Sequence, residues 1–247
     1  MLILYDIDMT LLRTDHIGIE LLRSAGESVF KPGFDVSRVE FGGCLDQDII
    51  RRMLINNELD PTPESILQMR RAYHQGLEAH NATPGWSVPL PGAHDLVNAT
   101  LTMDTSPTIG LLTGNFPETG RIKLSAAGFD PDLFIICAWG DDSPHELPAR
   151  AHLPPVALQR ARESGLTISD PREILIVGDT IHDVSCALDN DMSVLAVATG
   201  HHSRQQLEEA GAHHVVDDLT DTQGILEWIT QLHHRLDPRS ASTRSTP

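Results

Sequence analysis

Two aspartates one residue apart, Asp6 and Asp8, close the first apolar run of the chain, Leu2-Ile3-Leu4-Tyr5, and Thr10 follows them. Two more polar clusters stand in comparable positions: Thr113-Gly114-Asn115 after the run 108–112, and Gly178-Asp179-Thr180-Ile181-His182-Asp183 after the run 174–177. Taken singly, each is an ordinary helix cap or turn, because Asp, Thr and Gly favour both. Three of them in this order, each after an apolar run, point to one shared edge. In an open parallel sheet the carboxyl ends of strands converge where ligands bind. Asp6, Asp8, Asp179 and Asp183 gathered there would repel one another unless a divalent cation sat among them. Oxygen donors of this kind suit Mg²⁺, which keeps several waters and binds through one or two carboxylates plus a substrate phosphate.

The elements that must position these groups are legible as short apolar runs that read as strands buried on both faces. They cover 2–5, 108–112, 133–138, 174–177 and 194–198, with a weaker run at 214–216. Helical patterns lie between them, at 117–127, 155–163, 183–190 and 204–210. Alternation of buried strand and helix predicts an α/β fold with a doubly wound, parallel, Rossmann-like sheet. One interval breaks it. From about residue 15 to about 83 only helical periodicity is found, best at 49–55 and 65–77, with turn signals at Lys31-Pro32-Gly33 and Asp60-Pro61-Thr62-Pro63. The expected organisation is a core of residues 1–14 and 84–235, an inserted helical domain at 15–83, and a link back through the Pro- and Gly-rich 83–92. Residues 236–247, dominated by Pro, Arg, Ser and Thr, are expected to be a disordered tail.

Bulk properties narrow the function. Among 247 residues, 35 Asp and Glu outnumber 18 Lys and Arg for a formal charge of −17. A field of that sign opposes binding to nucleic acid or to anionic membrane surfaces, and any phosphate site must bring its own cations. Cys44, Cys137 and Cys186 are well separated and form no Cys-x-x-Cys pair, so they read as reduced thiols. No leader-like or membrane-spanning apolar stretch is read in the sequence, and a cytoplasmic protein acting on a small metabolite is expected. Oligomeric state is not legible.

The clusters carry a resemblance. The chain is similar to the haloacid dehalogenase superfamily, in its branch with a helical cap between the first strand and the rest of the core. Asp6-x-Asp8-x-Thr10 resembles the first motif of that family, Thr113 the second, and Gly178-Asp179-x-x-x-Asp183 the fourth. Gly42-Gly43-Cys44-Leu45-Asp46-Gln47-Asp48-Ile49 and Leu90-Pro91-Gly92 resemble phosphoglycolate phosphatase-like hydrolases more narrowly. The resemblance implies a Mg²⁺-dependent phosphatase: Asp6 as nucleophile, forming an aspartyl-phosphate; Asp8 as general acid and then base; Thr113, Gly114 and Asn115 on the phosphoryl oxygens. Metal ligands would be Asp6, Asp8 through its main-chain carbonyl, Asp179, and Asp183 directly or through water. Dehalogenase relatives lack the second acid and the metal, so Asp8 implies phosphate-ester chemistry.

One position departs from the family pattern. Its third motif supplies a Lys ahead of the helix that precedes the fourth, but Lys31 and Lys123, the two lysines of the chain, lie elsewhere. Arg150 occupies that point, as a catalytic and phosphate-binding cation or else a surface loop residue. Arg can bind phosphate bidentately, whereas nearby His152 would be mostly neutral at pH 7. The pairs His201-His202, His213-His214 and His233-His234 lack the i, i+4 spacing of a helical zinc site and read as solvated. Asp141-Asp142 reads as an acidic turn, and 42–48 as either a substrate-facing loop or a turn between helices. Two other functions fit the same architecture: a sugar phosphomutase, or a non-catalytic binding protein.

Overall fold

The computed structural model describes residues 1–14 and 16–236. The tail expected at 236–247 thus lies, from 237 onward, outside the described residues. The main sheet contains β1 (Leu2–Tyr5), β4 (Thr108–Leu112), β5 (Ile136–Ala138), β6 (Ile174–Gly178), β7 (Ser193–Val197) and β8 (His214–Val216). Their spatial order is β5-β4-β1-β6-β7-β8, and neighbouring strands in this sheet run parallel. The fold class is the expected one. Strands with no polar face need helices on both sides, and successive residues divide accordingly. Ile3 and Tyr5, Leu175 and Val177, and Leu195 and Val197 enter one apolar cluster. Leu2 and Leu4, Ile174 and Ile176, and Val194 and Ala196 enter the other.

Helices α4 (Ala93–Leu101), α5 (Pro117–Ala126), α6 (Leu153–Glu163), α7 (Ile181–Leu188), α8 (Arg204–Glu209) and α9 (Thr222–Leu236) complete the layers. Periodicity found α5 through α8 to within a few residues but not α4 or α9. The expected strand at 133–138 is shorter, because Pro131–Leu133 forms a 3-10 turn whose Asp130 carboxylate accepts from the Asp132 amide.

Between β2 (Leu12–Arg13) and β3 (Val88–Pro89), an antiparallel pair of two residues each, the chain forms α1 (Ile17–Val29), α2 (Asp46–Asn56) and α3 (Pro63–His80). These helices pack on a third cluster that includes Leu22, Phe34, Ile50, Met53, Met69, Tyr73 and Leu77. The core contributes Phe116 to that cluster, from the loop after β4. Thr62 starts α3 by accepting from the Ser65 amide, with Pro63 at its first helical position, where a missing N–H costs nothing.

Candidate active site

Register brings the three clusters together. Tyr5 pairs with Leu111 on one side and Val177 on the other, so Asp6 leaves β1 level with the ends of β4 and β6. The Asp6 amide still donates to the Val177 carbonyl at 2.9 Å, so the nucleophile candidate is anchored at the last rung of the sheet. A tight turn follows, with the Leu11 and Leu12 amides donating to the Ile7 carbonyl and Met9 held at φ 58°. A left-handed non-glycine residue is uncommon and clusters at functional turns. Here it reverses the chain between Asp8 and Thr10. Thr10 then donates to Asp179 Oδ1 at 3.2 Å, joining the first and fourth clusters.

Asp6, Asp179 and Asp183 are all buried, and each offers a carboxylate oxygen within 4.8 Å of the others. Burial pushes the Asp6 carboxyl up to about 6, against the pull of Arg150 and with the push of Asp183 and Asp8. It drives Asp179 well above the carboxylate range too, with Asp183 and Asp6 adding to the effect. Such a cluster gains by receiving a cation, and its hard oxygen donors fit Mg²⁺. Asp183 differs from the other two. Its Oδ1 accepts from Arg150 at 2.5 Å, and its Oδ2 accepts from the Thr180 amide at 3.0 Å and the Thr180 hydroxyl at 2.6 Å. Both oxygens are engaged, which suits contact through water better than direct ligation.

Arg150 reaches the site. Its Nη2 lies 3.2 Å from Asp6 Oδ1, 2.5 Å from Asp183 Oδ1 and 3.3 Å from the Leu112 carbonyl. The surface-loop alternative is therefore excluded: the residue is buried. Burial opposes its charge, but Asp183 and Asp6 outweigh that and hold the guanidinium above its ordinary range. His152, by contrast, pairs with the Ser143 hydroxyl and the Ala149 amide, away from Asp6.

Lys123 is a residue the sequence reading left out. The lysine lies far from the expected third-motif position, yet its Nζ donates to Asp8 Oδ2 at 2.7 Å and Asn115 Oδ1 at 2.5 Å. Burial favours loss of its proton, and Asp8 more than compensates. The available signal was spacing: Asn115, Thr119 and Lys123 stand four apart across the start of α5, on one helical face. Asn115 Nδ2 donates to Asp8 Oδ2 at 2.7 Å and Thr113 Oγ1 at 3.0 Å, so the second cluster is knitted to Asp8.

The stretch 42–48 faces the site. Gly114 O accepts from the Asp46 amide at 2.7 Å, and Asp46 Oδ2 accepts from the Phe116 amide at 3.1 Å and the Thr119 hydroxyl at 3.4 Å. Gly114 and the Cys44 carbonyl approach so closely that a Cβ on Gly114 would fall 2.0 Å from that oxygen. Arg70 of α3 makes a second tie to the core. It forks onto Glu118 at 2.5 and 2.8 Å, reaches Asp141 at 2.8 Å, and lies 4.1 Å above the Phe116 ring centre. Asp141 and Asp142 therefore pair with Arg70 and Arg160 and not with the carboxylate cluster. A cavity of 690 Å³ opens over Asp6, Asp8, Thr113 and Asp179, and His201 and His202, expected merely at the surface, stand among its lining.

Residues 151–222 match the model of the HAD-hydrolase-like family. Over that segment the chain resembles haloacid dehalogenase-like hydrolases. Among curated proteins none matches it in sequence. Solved structures resemble it over nearly their whole length. A hydrolase from Pseudomonas syringae aligns at TM-score 0.66 and 21% identity, over 92% of this chain and 98% of that one. A predicted phosphoglycolate phosphatase from Haemophilus somnus aligns at 0.65 and 19%, over 91% and 97%. CbbY from Rhodobacter sphaeroides, solved in complex with phosphate, aligns at 0.66 and 21%, over 89% and 95%. The haloacid dehalogenase-like fold thus rests on both the family segment and the neighbours.

Proposed function

We propose that this protein hydrolyses a small phosphomonoester through an aspartyl-phosphate on Asp6. The observation that carries the reading is the seating of Asp6 beside Arg150, with Asp8, Thr113 and Asp179 around the floor of one cavity. Asp6 attacks phosphorus and the ester oxygen leaves. Arg150, with the Thr113 hydroxyl and the Gly114 and Asn115 amides, binds the phosphoryl oxygens as charge builds on them. Asp8 gives a proton to the leaving oxygen, then takes one from the water that hydrolyses the phosphoenzyme. Lys123 and Asn115 hold the Asp8 carboxylate in place for both steps. Mg²⁺ is the proposed metal, held by Asp6, Asp179 and the Asp8 main-chain carbonyl with Asp183 behind, and when bound it neutralises carboxylate and phosphate charge.

Residues 15–83 are read as a cap over the cavity, and 1–14 with 84–235 as the catalytic core. A cap held shut by Asp46 and Arg70 keeps bulk water from the phosphoenzyme and limits the substrate to a small molecule. The test is a rapid acid quench during turnover with Mg²⁺, followed by peptide mass spectrometry. A phosphoryl group on the peptide that contains Asp6 is the expected result. Steady turnover with that peptide never modified would overturn the reading. Return of the phosphoryl group to a second substrate hydroxyl, with no phosphate released, would make the protein a phosphomutase instead.

A further inference from the structure

The cavity has two unlike walls. Its floor is the polar edge of the sheet. The wall supplied by residues 17–80 is made of Ile19 and Leu22 on α1, Phe41 before α2, Ile49 on α2 and Tyr73 on α3. Burial holds Tyr73 as a neutral phenol, above its ordinary range. Among the described residues of this segment no Lys, Arg or His lines the cavity, and its charged groups there are the carboxylates Glu40 and Asp46. Three cations of the segment are engaged elsewhere: Arg70 on Glu118 and Asp141, Arg52 on Asp48, and Lys31 on the Asn57 carbonyl.

The cations that do line the cavity belong to other places. Lys123 and Arg150 sit at the floor, engaged by Asp8 and Asn115 and by Asp6 and Asp183. Arg13, His16 and His201 are exposed residues at the mouth, and burial lowers the pKa of His202 beside them. A substrate with its phosphate on the floor would therefore lay the rest of itself against apolar side chains and two carboxylates. A second anionic group there would meet repulsion, since the remaining cations of the lining, Arg13, His16 and His201, stand at the exposed mouth where water screens them.

We propose that the leaving alcohol is uncharged and apolar, an alkyl or aryl group, and neither glycolate nor a second phosphorylated carbon. This deepens the phosphatase reading and rests on it for the position of the phosphate. The volume agrees, since 690 Å³ is in the range of sites that enclose drug-sized ligands, and a two-carbon acid would leave the apolar wall wet.

The experiment has a binding arm and a turnover arm, both on the full chain with Mg²⁺. Calorimetry with n-alkylphosphonates of increasing length should give affinity rising about fourfold per methylene until the wall is covered, as expected for about 0.8 kcal/mol per buried CH₂. Ile49→Thr should flatten that rise. In turnover, hexyl or naphthyl phosphate should exceed phosphoglycolate and sugar phosphates in kcat/KM by at least tenfold. Affinity independent of chain length would overturn the proposal, as would preferred turnover of phosphoglycolate or a sugar bisphosphate. The two readings fail separately: a steep chain-length dependence with no phosphate ester hydrolysed would sink the phosphatase reading while upholding the apolar wall.

Discussion

Asp8 and Asp46 carry the sharpest consequences at the scale of single residues. If Asp8 protonates the leaving oxygen, Asp8→Asn should lower kcat on an alkyl phosphate by about 10²–10⁴-fold. The loss on p-nitrophenyl phosphate, whose leaving group needs little protonation, should be clearly smaller; equal losses on both substrates would count against the role. Asp46 is half-buried, and loss of solvent around its carboxyl pushes it up to about 6 from an ordinary 3.8, outweighing the pull of Lys123. Its folded form binds the proton more tightly than its unfolded form, so stability falls as pH rises from about 4 through 6. Asp46→Asn keeps an acceptor for Phe116 and Thr119 and removes that slope. Denaturant midpoints of the metal-free proteins should show the variant gaining about 2 kcal/mol on the wild type between pH 4.5 and 7.5. Parallel pH profiles would contradict it. Lys123 marks how far single residues are legible. Asp6, Asp8, Thr113 and Asp179 stand next to strand ends and could be read from local pattern, and Arg150 from its place ahead of a helix. Lys123 enters the site only through the direction in which α5 leaves its loop, and sequence position alone had set it aside.

At the scale of elements, the parallel register of β1 between β4 and β6 places the candidate site, and the loop after β4 couples it to the helices between β2 and β3. Gly114 permits that coupling. An added Cβ would strike the Cys44 carbonyl at 2.0 Å, a backbone atom with little room to yield. Gly114→Ala should cost about 1–3 kcal/mol of stability, as overpacking does, and raise KM as the 42–46 stretch shifts. Melting and KM both unchanged would show that the contact does not constrain the loop. Buried strands were legible because an apolar run stopped by Asp, Thr or Gly is a strong local signal. The β2–β3 pair was not, since two residues per strand carry no period. Helix α4 was hidden by the Pro- and Gly-rich stretch before it, which read as linker. The choice left open for 42–48 depended on where α2 packs, and no local pattern encodes that.

For the molecule as a whole, the acidic excess of −17 makes the site a local exception, two buried cations against a cluster of carboxylates. Among the described residues no helix is long and apolar enough to cross a membrane. Metal binding to the folded state alone should stabilise it: Mg²⁺ at ten times its dissociation constant is worth about 1.4 kcal/mol, a rise of roughly 3 °C in Tm. Asp179→Asn should abolish that rise, and a rise that persists would move the metal elsewhere. The proposed chemistry turns, however, on one carboxylate. Phosphate release from a phosphomonoester, followed with Mg²⁺ for the wild type and for Asp6→Asn at matched folded concentration, addresses it directly. The expected result is release by the wild type and none above background by the variant; a variant that retained most of the activity would remove Asp6 from the chemistry.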